Sequence, residues 1–343
     1  MLTIASDAHR LHHPRDPIHD GGKLVAPPEI PERAERIRAA LEAAAAGEIR
    51  EPDEFGPEPV LRVHTRDYIE FLMTAHARWR DATGEPETAE AVPYARPMRN
   101  QPHVEAPHVV AELGWYSHDS DPVLAGTWPA ASAAVDIALT AWRAVVDGEA
   151  AAYALCRPPG HHAAADSFAG YCYLNNAAIV AQAAVDAGAR VSILDVDFHH
   201  GNGTQQLFYD RDDVLFVSLH ADPAHDYPYF LGNASERGWG AGEGYTRNFP
   251  LAPGTDWSAY GPALEAATAA VTKFGPDLVV VSLGVDTAIE DPDSFRLVAA
   301  DYPRIGTAIG GLARPTVFVQ EGGYDLDALG RNVVSVLRAA ESA

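Results

Sequence analysis

Short apolar runs alternate with segments of helical periodicity along the second half of the chain. The apolar runs are Ala151–Cys156, Val191–Leu194, Val214–Leu219, Leu278–Leu283 and Thr316–Val319. Segments with apolar residues at helical spacing separate several of these runs and cover Leu174–Ala187, Trp257–Phe274, Ile305–Leu312 and Leu326–Ala340. Continuous apolar strands that alternate with amphipathic helices are typical of a parallel sheet covered by helices on both faces. The pattern therefore predicts one α/β domain.

The first part of the chain is organised differently. A helix is predicted after Pro28, where apolar residues recur at helical spacing, and a second helix over Asp67–Arg80. From about Gly84 to Gly126 follows a stretch rich in proline, histidine, aspartate and glutamate, without clear periodicity. Irregular stretches of this length in a compact protein are usually functional or lie at an interface. A solvated surface insertion fits the same composition equally well.

The charge balance narrows the classes of partner. The 343 residues include 48 acidic and 25 basic side chains, for a formal charge of −23. Such an anionic surface repels phosphates, which argues against nucleic-acid binding, and attracts cations. Neither a signal peptide nor an 18-residue apolar stretch is visible, and two cysteines cannot form a disulfide framework. We therefore expect a cytoplasmic protein without a membrane segment.

Glycine, histidine, aspartate and tyrosine follow the ends of the predicted strands. These segments are Arg157–His162, Asp195–Gly203, Ser218–His220, Gly284–Asp286 and Gln320–Tyr324. In open parallel sheets, ligands bind in the crevice beyond the carboxyl ends of the strands. Packing alone does not readily explain reactive residues at five such ends, so a functional site is predicted at this edge.

A metal centre is the first candidate there. Asp195, Asp197 and His199 alternate along an extended segment and so point to one face. Asp286, from another strand end, can join Asp197 and His199. Two carboxylates and one imidazole leave an open position, as a hydrolytic metal requires. Zn²⁺ is the first choice, and Fe²⁺ or Co²⁺ would also suit the oxygen ligands. The alternative is that these carboxylates cap helices and the histidine sits in a hydrogen-bond network.

Other candidate groups lie in the neighbouring loops. His161 and His162 can both face a site if their Pro- and Gly-framed loop turns. Tyr324 follows two glycines and can donate a hydrogen bond to a developing oxyanion. A hydrolase that uses Cys172 as nucleophile is disfavoured, because this cysteine has aromatic neighbours and no evident base.

Six motifs together resemble the histone deacetylase superfamily and, more narrowly, the bacterial acetylpolyamine amidohydrolases. They are Arg157–His162, Gly170–Asn176, Asp195–Gly203, Val217–His220, Gly284–Asp286 and Glu321–Tyr324. The resemblance implies the arginase–deacetylase fold, a single domain over residues 1–343 with a central eight-stranded parallel sheet flanked by helices. It also implies zinc-dependent hydrolysis of small acetylated amines, acetylpolyamines such as acetylputrescine or acetylcadaverine foremost.

The resemblance also assigns roles residue by residue. Asp197, His199 and Asp286 match zinc ligands, whereas His162 matches the general base and His161 its electrostatic or acid partner. Tyr324 matches the residue that clamps the substrate carbonyl. The expected substrate contacts are the carbonyl of Gly170, which accepts the amide N–H, and two aromatic tunnel walls, Tyr171 and Tyr227. Asn202, where some family members carry aspartate, would leave His162 less cationic.

Structural potassium is implied at two places. Asp195 and Ser218, with backbone carbonyls of Asp197, His199 and Leu219, match a site beneath the zinc. A second, carbonyl-lined site would involve Phe208, Arg211, Val214 and Tyr245. Arg33 lies where a channel arginine occurs in the family.

The stretch at about 84–126 resembles an insertion that narrows the active site and builds a homodimer in acetylpolyamine amidohydrolases. Asp121 aligns best with a carboxylate that meets the distal ammonium of the substrate, as a partly solvated contact at the rim. Glu105 or Glu112 is the candidate for a second carboxylate. The apolar residues expected to bury against a second subunit are Val109, Val110, Leu113, Trp115 and Tyr116.

Three alternatives remain beside this prediction. The first is a deacetylase that acts on acetyl-lysine in peptides or proteins. The second is a dinuclear-manganese ureohydrolase, which is disfavoured because Gly284 stands where a second bridging aspartate is required. The third is a catalytically inactive binding protein, disfavoured because the ligands, both histidines and Tyr324 are all present.

Overall fold

An eight-stranded parallel sheet forms the centre of the protein, whose computed structural model describes residues 1–98, 108–292 and 294–343. In chain order the strands are β1 (Leu2–Ile4), β2 (Ile18–Asp20), β3 (Lys23–Val25), β4 (Ile49–Arg50), β5 (Ala151–Ala154), β6 (Val191–Asp195), β7 (Val214–Ala221), β8 (Thr246–Leu251), β9 (Leu278–Leu283) and β10 (Thr316–Gln320). The sheet order is β4-β1-β5-β10-β9-β6-β7-β8, with every neighbouring pair parallel. Strands β2 and β3 form a separate antiparallel hairpin.

Helices cover both faces of the sheet. They are α1 (Glu32–Ala43), α2 (Glu58–Leu61), α3 (Arg66–Thr83), α4 (Val109–Trp115), α5 (Thr127–Val146), α6 (Asn176–Asp186), α7 (Asn202–Phe208), α8 (Trp257–Phe274), α9 (Tyr302–Gly310) and α10 (Leu329–Ser342). One apolar cluster joins one face of the sheet to α3, α5 and α6, and a second joins the other face to α1, α8, α9 and α10. Alternate residues of a central strand enter opposite clusters: Val280 packs in the first, Val279 and Val281 in the second. This two-sided burial explains why every residue of β9 except Ser282 is apolar.

The five predicted strands are present, with ends that differ by at most two residues, and the predicted helix over Trp257–Phe274 has the same bounds. The apolar pattern does not predict β1, β4 or β8. The first two have three and two residues, too few to show periodicity. Strand β8 pairs only with β7, and as an edge strand it tolerates Arg247, Asn248 and Pro250.

The stretch after Gly84 is less irregular than its composition suggests. Gly84 ends α3 in the left-handed conformation, with φ of 78°. Helix α4 follows within the stretch, and a backbone bridge joins Ala91 to Val123. Val109, Leu113 and Tyr116 are buried within their own chain, the last two in the core cluster, so they do not form the exposed apolar face expected for an interface.

Throughout the described parts of the chain, every helix is too short or too polar to cross a lipid bilayer.

Candidate active site

Neighbouring strands bring the predicted residues together at the carboxyl edge of the sheet. Strand β9 lies between β6 and β10, and β10 lies next to β5. The loops after these four strands carry His161 and His162 (β5), Asp197 and His199 (β6), Asp286 (β9) and Tyr324 (β10). Residues that are more than 160 positions apart in the chain thus share one site.

Asp197, His199 and Asp286 form a compact group of possible metal ligands. Their ligand atoms all lie within 4.8 Å of one another. The Nδ1 atom of His199 is 3.2 Å from Oδ2 of Asp286 and 3.4 Å from Oδ1 of Asp197. Both carboxylates are buried, whereas the His199 side chain is 25% exposed. The group is therefore accessible at His199.

Two glycines make room for these carboxylates. A Cβ atom at Gly284 would lie 2.0 Å from Oδ2 of Asp197, and one at Gly322 would lie 2.3 Å from Oδ2 of Asp286. The backbone N–H of Gly322 donates a hydrogen bond of 2.7 Å to Oδ2 of Asp197. Neither position accepts a side chain without displacement of a ligand. In particular, a second aspartate at position 284 does not fit.

The electrostatics of this group indicate a cation-binding site. Burial alone lowers the pKa of His199, but hydrogen bonds and charge from Asp197 and Asp286 outweigh it and raise the pKa to about 10. The two buried carboxylates are thus stabilised by a positive charge next to them. This charge is either the protonated imidazole of His199 or a metal ion beside a neutral imidazole. Two carboxylates with one imidazole suit Zn²⁺ as a ligand set.

The paired histidines have opposite protonation tendencies. Burial, together with the charges of His161 and His199, holds the pKa of His162 well below its usual range. Burial also lowers the pKa of His161, but Asp197 and Asp195 outweigh it and raise the value to about 10. The Nδ1 atom of His161 lies 3.0 Å from Oδ2 of Asp195. His162 is therefore a neutral base, next to a cationic neighbour.

Asn202 sets the tautomer of His162. Oδ1 of Asn202 lies 2.7 Å from Nδ1 of His162, and an amide oxygen can only accept a hydrogen bond. The proton of the neutral imidazole consequently sits on Nδ1, and the lone pair of Nε2 remains available.

Tyrosines surround the opening above this group. Tyr324 stacks edge-on with Tyr171, with ring centroids 6.0 Å apart, and Tyr227 stacks edge-on with His162 at 5.0 Å. Burial holds the pKa of Tyr324 well above its usual range, although Arg33 opposes the shift. The Tyr324 hydroxyl therefore stays protonated and can donate a hydrogen bond.

A cleft of about 600 Å³ leads to the candidate metal ligands. Its lining includes His162, Gly170, Tyr171, His199, Tyr227 and Tyr324. Gly170 has φ of 55°, and a Cβ there would lie 2.2 Å from Cδ2 of His162. Only glycine lets the backbone pass this close to the histidine.

Known proteins are similar in sequence to this chain over nearly its whole length. The sequence profile of the histone deacetylase domain matches residues 27–340. The chain belongs to the histone deacetylase family. It is similar to acetylpolyamine amidohydrolase 2 of Pseudomonas aeruginosa, at 48% identity over 344 residues that cover 99% of each chain. It is also similar to the acetylpolyamine amidohydrolase of Mycoplana ramosa, at 43% identity over 98% of this chain and 99% of the relative.

The structural comparison agrees. The crystal structure of acetylpolyamine aminohydrolase from Burkholderia pseudomallei matches with a TM-score of 0.93 and 42% identity, over 100% of this chain and 99% of that one. The predicted resemblance and the predicted arginase–deacetylase fold are thereby confirmed. Membership of the histone deacetylase family also confirms the predicted enzyme class, a hydrolase of amide bonds.

Asp119 and Asp121, two carboxylates of the insertion, line the cleft of this deacetylase-family protein. Asp121 lines the cleft, but it is only 4% exposed, so the expectation of a partly solvated contact is wrong. Its Oδ2 atom accepts the backbone N–H of Tyr171 at 2.7 Å. Burial and the charge of Asp119 hold the pKa of Asp121 well above its usual range.

The other acidic candidates do not join the cleft. Glu112 in α4 forms a bidentate ion pair with Arg78 in α3, and both N–O distances are 2.7 Å. The pair lies on the outer surface of these two helices. This ion pair excludes Glu112 as the second rim carboxylate. Glu105 lies outside the described residues.

The residues predicted to hold potassium lie where β6, β7 and the following loops meet. Asp195 pairs with Ser218 across β6 and β7, and Leu219 follows in β7. The Nε2 atom of His220 lies 2.8 Å from the carbonyl of Gly232 and must donate to it. Its Nδ1 therefore accepts the hydroxyl of Ser218 at 2.7 Å, which leaves the oxygen lone pairs of Ser218 available to a cation.

The second predicted potassium group surrounds the start of β7. Phe208 ends α7, Val214 begins β7, and the carbonyl of Tyr245 accepts the N–H of Phe216 at 2.9 Å. The guanidinium of Arg211 is a cation that only donates hydrogen bonds, here to Asp213 and Gln182, so the backbone carbonyl is the one group of Arg211 that can bind a cation.

Sequence reasoning missed three residues that support the site. Asp119 accepts hydrogen bonds from the N–H of Gly170 at 2.7 Å and from the hydroxyl of Tyr227 at 3.0 Å. Glu29 bridges the buried guanidinium groups of Arg33 and Arg157, at 2.8 and 2.9 Å. Asp291 accepts backbone hydrogen bonds next to Tyr324.

A partial signal was present for one of them. Asp119 and Asp121 alternate within the insertion just as Asp195 and Asp197 alternate after β6. That spacing could have indicated two carboxylates on one face, whereas Glu29 and Asp291 have no comparable local pattern.

Proposed function

We propose that this protein is a zinc-dependent acetylpolyamine amidohydrolase, which removes the acetyl group from small acetylated amines such as acetylputrescine or acetylcadaverine. The observation that carries the proposal is the joint position of Asp197, His199, Asp286, both histidines and Tyr324 at one cleft. Two relatives with 43–48% identity over nearly the whole chain, both named acetylpolyamine amidohydrolases, support the substrate class.

Asp197, His199 and Asp286 are the residues that would hold the zinc. Bound there, zinc would polarise the acetyl carbonyl and lower the pKa of the attacking water towards ~7. His199, the partly exposed member of the ligand group, lines the cleft through which the acetyl group would enter.

His162 acts as general base and then as general acid. Nε2 takes the proton from the attacking water, because Nδ1 is held as a donor by Asn202. The same proton then passes to the nitrogen of the leaving amine as the amide C–N bond breaks. His161, cationic beside Asp195 and Asp197, keeps the resting His162 neutral by charge repulsion.

Tyr324 stabilises the oxyanion of the tetrahedral state. Its protonated hydroxyl donates to the acetyl oxygen as negative charge develops, and the carbonyl of Gly170 accepts the amide N–H. Tyr171 and Tyr227 enclose the alkyl chain between them.

The charge of the cleft supports a cationic substrate. Among the described lining residues, Asp119, Asp121 and Asp226 are acidic, and there is no lysine or arginine. Asp121 is the proposed partner of the distal ammonium, whose charge would restore the ionised carboxylate that burial disfavours. The same contact would lack a counterpart for an uncharged acetylated amine.

We further propose structural potassium at the two predicted sites and a homodimer formed through the insertion at 84–126. The support for the dimer lies in exposed apolar side chains of this insertion, because Val92, Tyr94 and Met98 are 40%, 77% and 75% exposed. Apolar side chains exposed this far in one segment are typical of an association surface. Sedimentation of the purified protein would test it, and a monomer at micromolar concentration would reject it.

A rate panel on metal-defined enzyme tests the function. Acetylputrescine, acetylcadaverine and acetylspermidine should exceed an acetyl-lysine peptide in kcat/KM by about tenfold or more, and chelation should abolish turnover. N-butylacetamide, a neutral amide of similar length, is the control for charge. Preference for the peptide would support the acetyl-lysine alternative, and two manganese ions per chain with ureohydrolase activity would overturn the proposal.

A further inference from the structure

The loop that carries Tyr324 has an unusually free backbone. It contains Gly322 and Gly323 in succession, and Gly323 has φ of 122°. Gly322 has to be glycine because a Cβ would overlap the carboxylates of Asp286 and Asp197. Two adjacent glycines leave many backbone conformations accessible, so other contacts must hold the tyrosine in place.

Two buried side chains, Arg33 and Asp291, hold this loop from two sides. Arg33 donates to the carbonyls of Glu321 and Gly323, at 2.6 and 2.5 Å. On the other side, Oδ1 of Asp291 accepts the N–H of Tyr324 at 2.7 Å and of Asp325 at 2.8 Å. Arg33 also lies over the Tyr324 ring, 4.7 Å from its centroid, whereas Asp291 binds the Tyr324 backbone.

Asp291 is well placed to transmit order to the tyrosine. It is 7% exposed, and its own N–H donates to the carbonyl of Ala288 at 2.9 Å, in the turn after Asp286. One buried oxygen of its side chain accepts two consecutive backbone N–H groups, which fixes both amides of the loop at the same point. The turn that follows one candidate metal ligand thereby sets the backbone of the candidate oxyanion donor.

We propose that Asp291 is a positioning residue for catalysis, which places the Tyr324 hydroxyl against the acetyl carbonyl. The inference rests on the proposed function, in which Tyr324 donates to the oxyanion. A misplacement of about 1 Å costs roughly 10²-fold in rate. Loss of Asp291 should therefore lower kcat by about 10–100-fold while metal content stays stoichiometric and KM changes little.

A double-mutant cycle separates positioning from general support. Asp291→Ala is measured alone and together with Tyr324→Phe, and Asp291→Asn, which keeps the Oδ1 acceptor, should restore most of the rate. Because Tyr324→Phe already lacks the hydroxyl, adding Asp291→Ala should cost less than about threefold more. Multiplicative losses would overturn the proposal. If Asp291→Ala fails to fold, Asp291→Ser takes its place. The serine oxygen lies too close to its own backbone to replace Oδ1 at the Tyr324 N–H, so the same loss in kcat is expected.

Asp301 provides a matched control. It is 5% exposed and likewise accepts a backbone hydrogen bond, from Val298 at 3.0 Å, beside an ion pair with Arg304 at 3.2 Å. Within the described parts of the chain, its hydrogen bonds do not reach the Tyr324 loop, and it does not line the cleft. Asp301→Ala should lower the melting temperature without the loss in kcat.

Amide hydrogen exchange gives a readout that does not depend on turnover. Exchange in the peptide that contains residues 321–325 should accelerate in Asp291→Ala and stay unchanged in Asp301→Ala. Unchanged exchange in both variants would refute the role of Asp291. If instead the wild-type protein hydrolyses no acetylated amine, the proposed function fails while the exchange result still decides whether Asp291 orders the loop.

Discussion

Gly284→Ala should disable the candidate metal centre although it adds only one methyl group. The new Cβ would lie 2.0 Å from Oδ2 of Asp197, whereas ordinary contacts are 3.4–4 Å. The carboxylate would have to retreat by more than about 1 Å, and metal ligands tolerate only about ±0.2 Å. Asp197 is fully buried and accepts the N–H groups of Gly322 and His199 with its two oxygens, so it cannot move freely.

We expect metal affinity and kcat/KM to fall by at least about 100-fold, or about 2.7 kcal/mol. Metal content after dialysis against a competing chelator and turnover of acetylputrescine would measure the two effects. Gly311→Ala is the matched control, because its nearest neighbour to a new Cβ is a carbonyl oxygen 3.2 Å away, at the end of α9 far from the site. A Gly284→Ala protein with full metal occupancy and wild-type turnover would refute this account of the ligand geometry.

Four further predictions concern individual side chains. Tyr324→Phe should keep its metal and lose about 10²–10³-fold in kcat, and His162→Ala about 10² or more; near wild-type rates in steady-state assays would refute either role. Asp121→Asn, which keeps an acceptor for Tyr171, should lose about tenfold in kcat/KM on acetylputrescine but little on N-butylacetamide, and equal losses would assign Asp121 to support of Tyr171 alone. Burial and the charge of Asp286 raise the pKa of Asp291 to about 7, against the hydrogen bonds from Tyr324 and Asp325 and the charge of Arg33, which lower it. The unfolded chain loses this proton near pH 4, so the stability that the proton confers on the folded protein is lost as pH rises from about 4 to 7. The free energy of unfolding of Asp291→Asn should therefore exceed that of the wild type by up to about 4 kcal/mol more at pH 8 than at pH 4, as measured by chemical denaturation. A difference that does not change with pH would contradict this.

The candidate ligand set could be predicted from sequence because its geometry is largely local. Asp197 and His199 share one extended segment after β6. Asp286 lies in the loop after β9, the strand next to β6 in the sheet. Strands that are buried on both faces, such as β9, appear in the sequence as runs in which nearly every residue is apolar. Edge strand β8 and the short strands β1 and β4 carry no such signal, because their environment is set by which strand they meet.

The insertion shows the opposite case. Its composition indicates an irregular, acidic rim, yet α4 forms there, Asp121 is buried, and Glu112 pairs with Arg78 outside the cleft. Acidic residues look alike in a sequence. Burial and the identity of the nearest partner, which only packing decides, separate a cleft carboxylate from a surface ion pair.

By itself, the sequence determined the α/β architecture, the residues at the strand ends and the likeness to a deacetylase. Tertiary structure alone decided which side chains hold those residues in place. Asp119 meets Tyr227 across 108 residues of chain, and Asp291 meets Tyr324 across 33. Reactive groups in short motifs are set by backbone spacing of a few residues, which a sequence displays directly. Their supports depend on where separate loops land after the sheet has assembled, and that is a property of the whole fold.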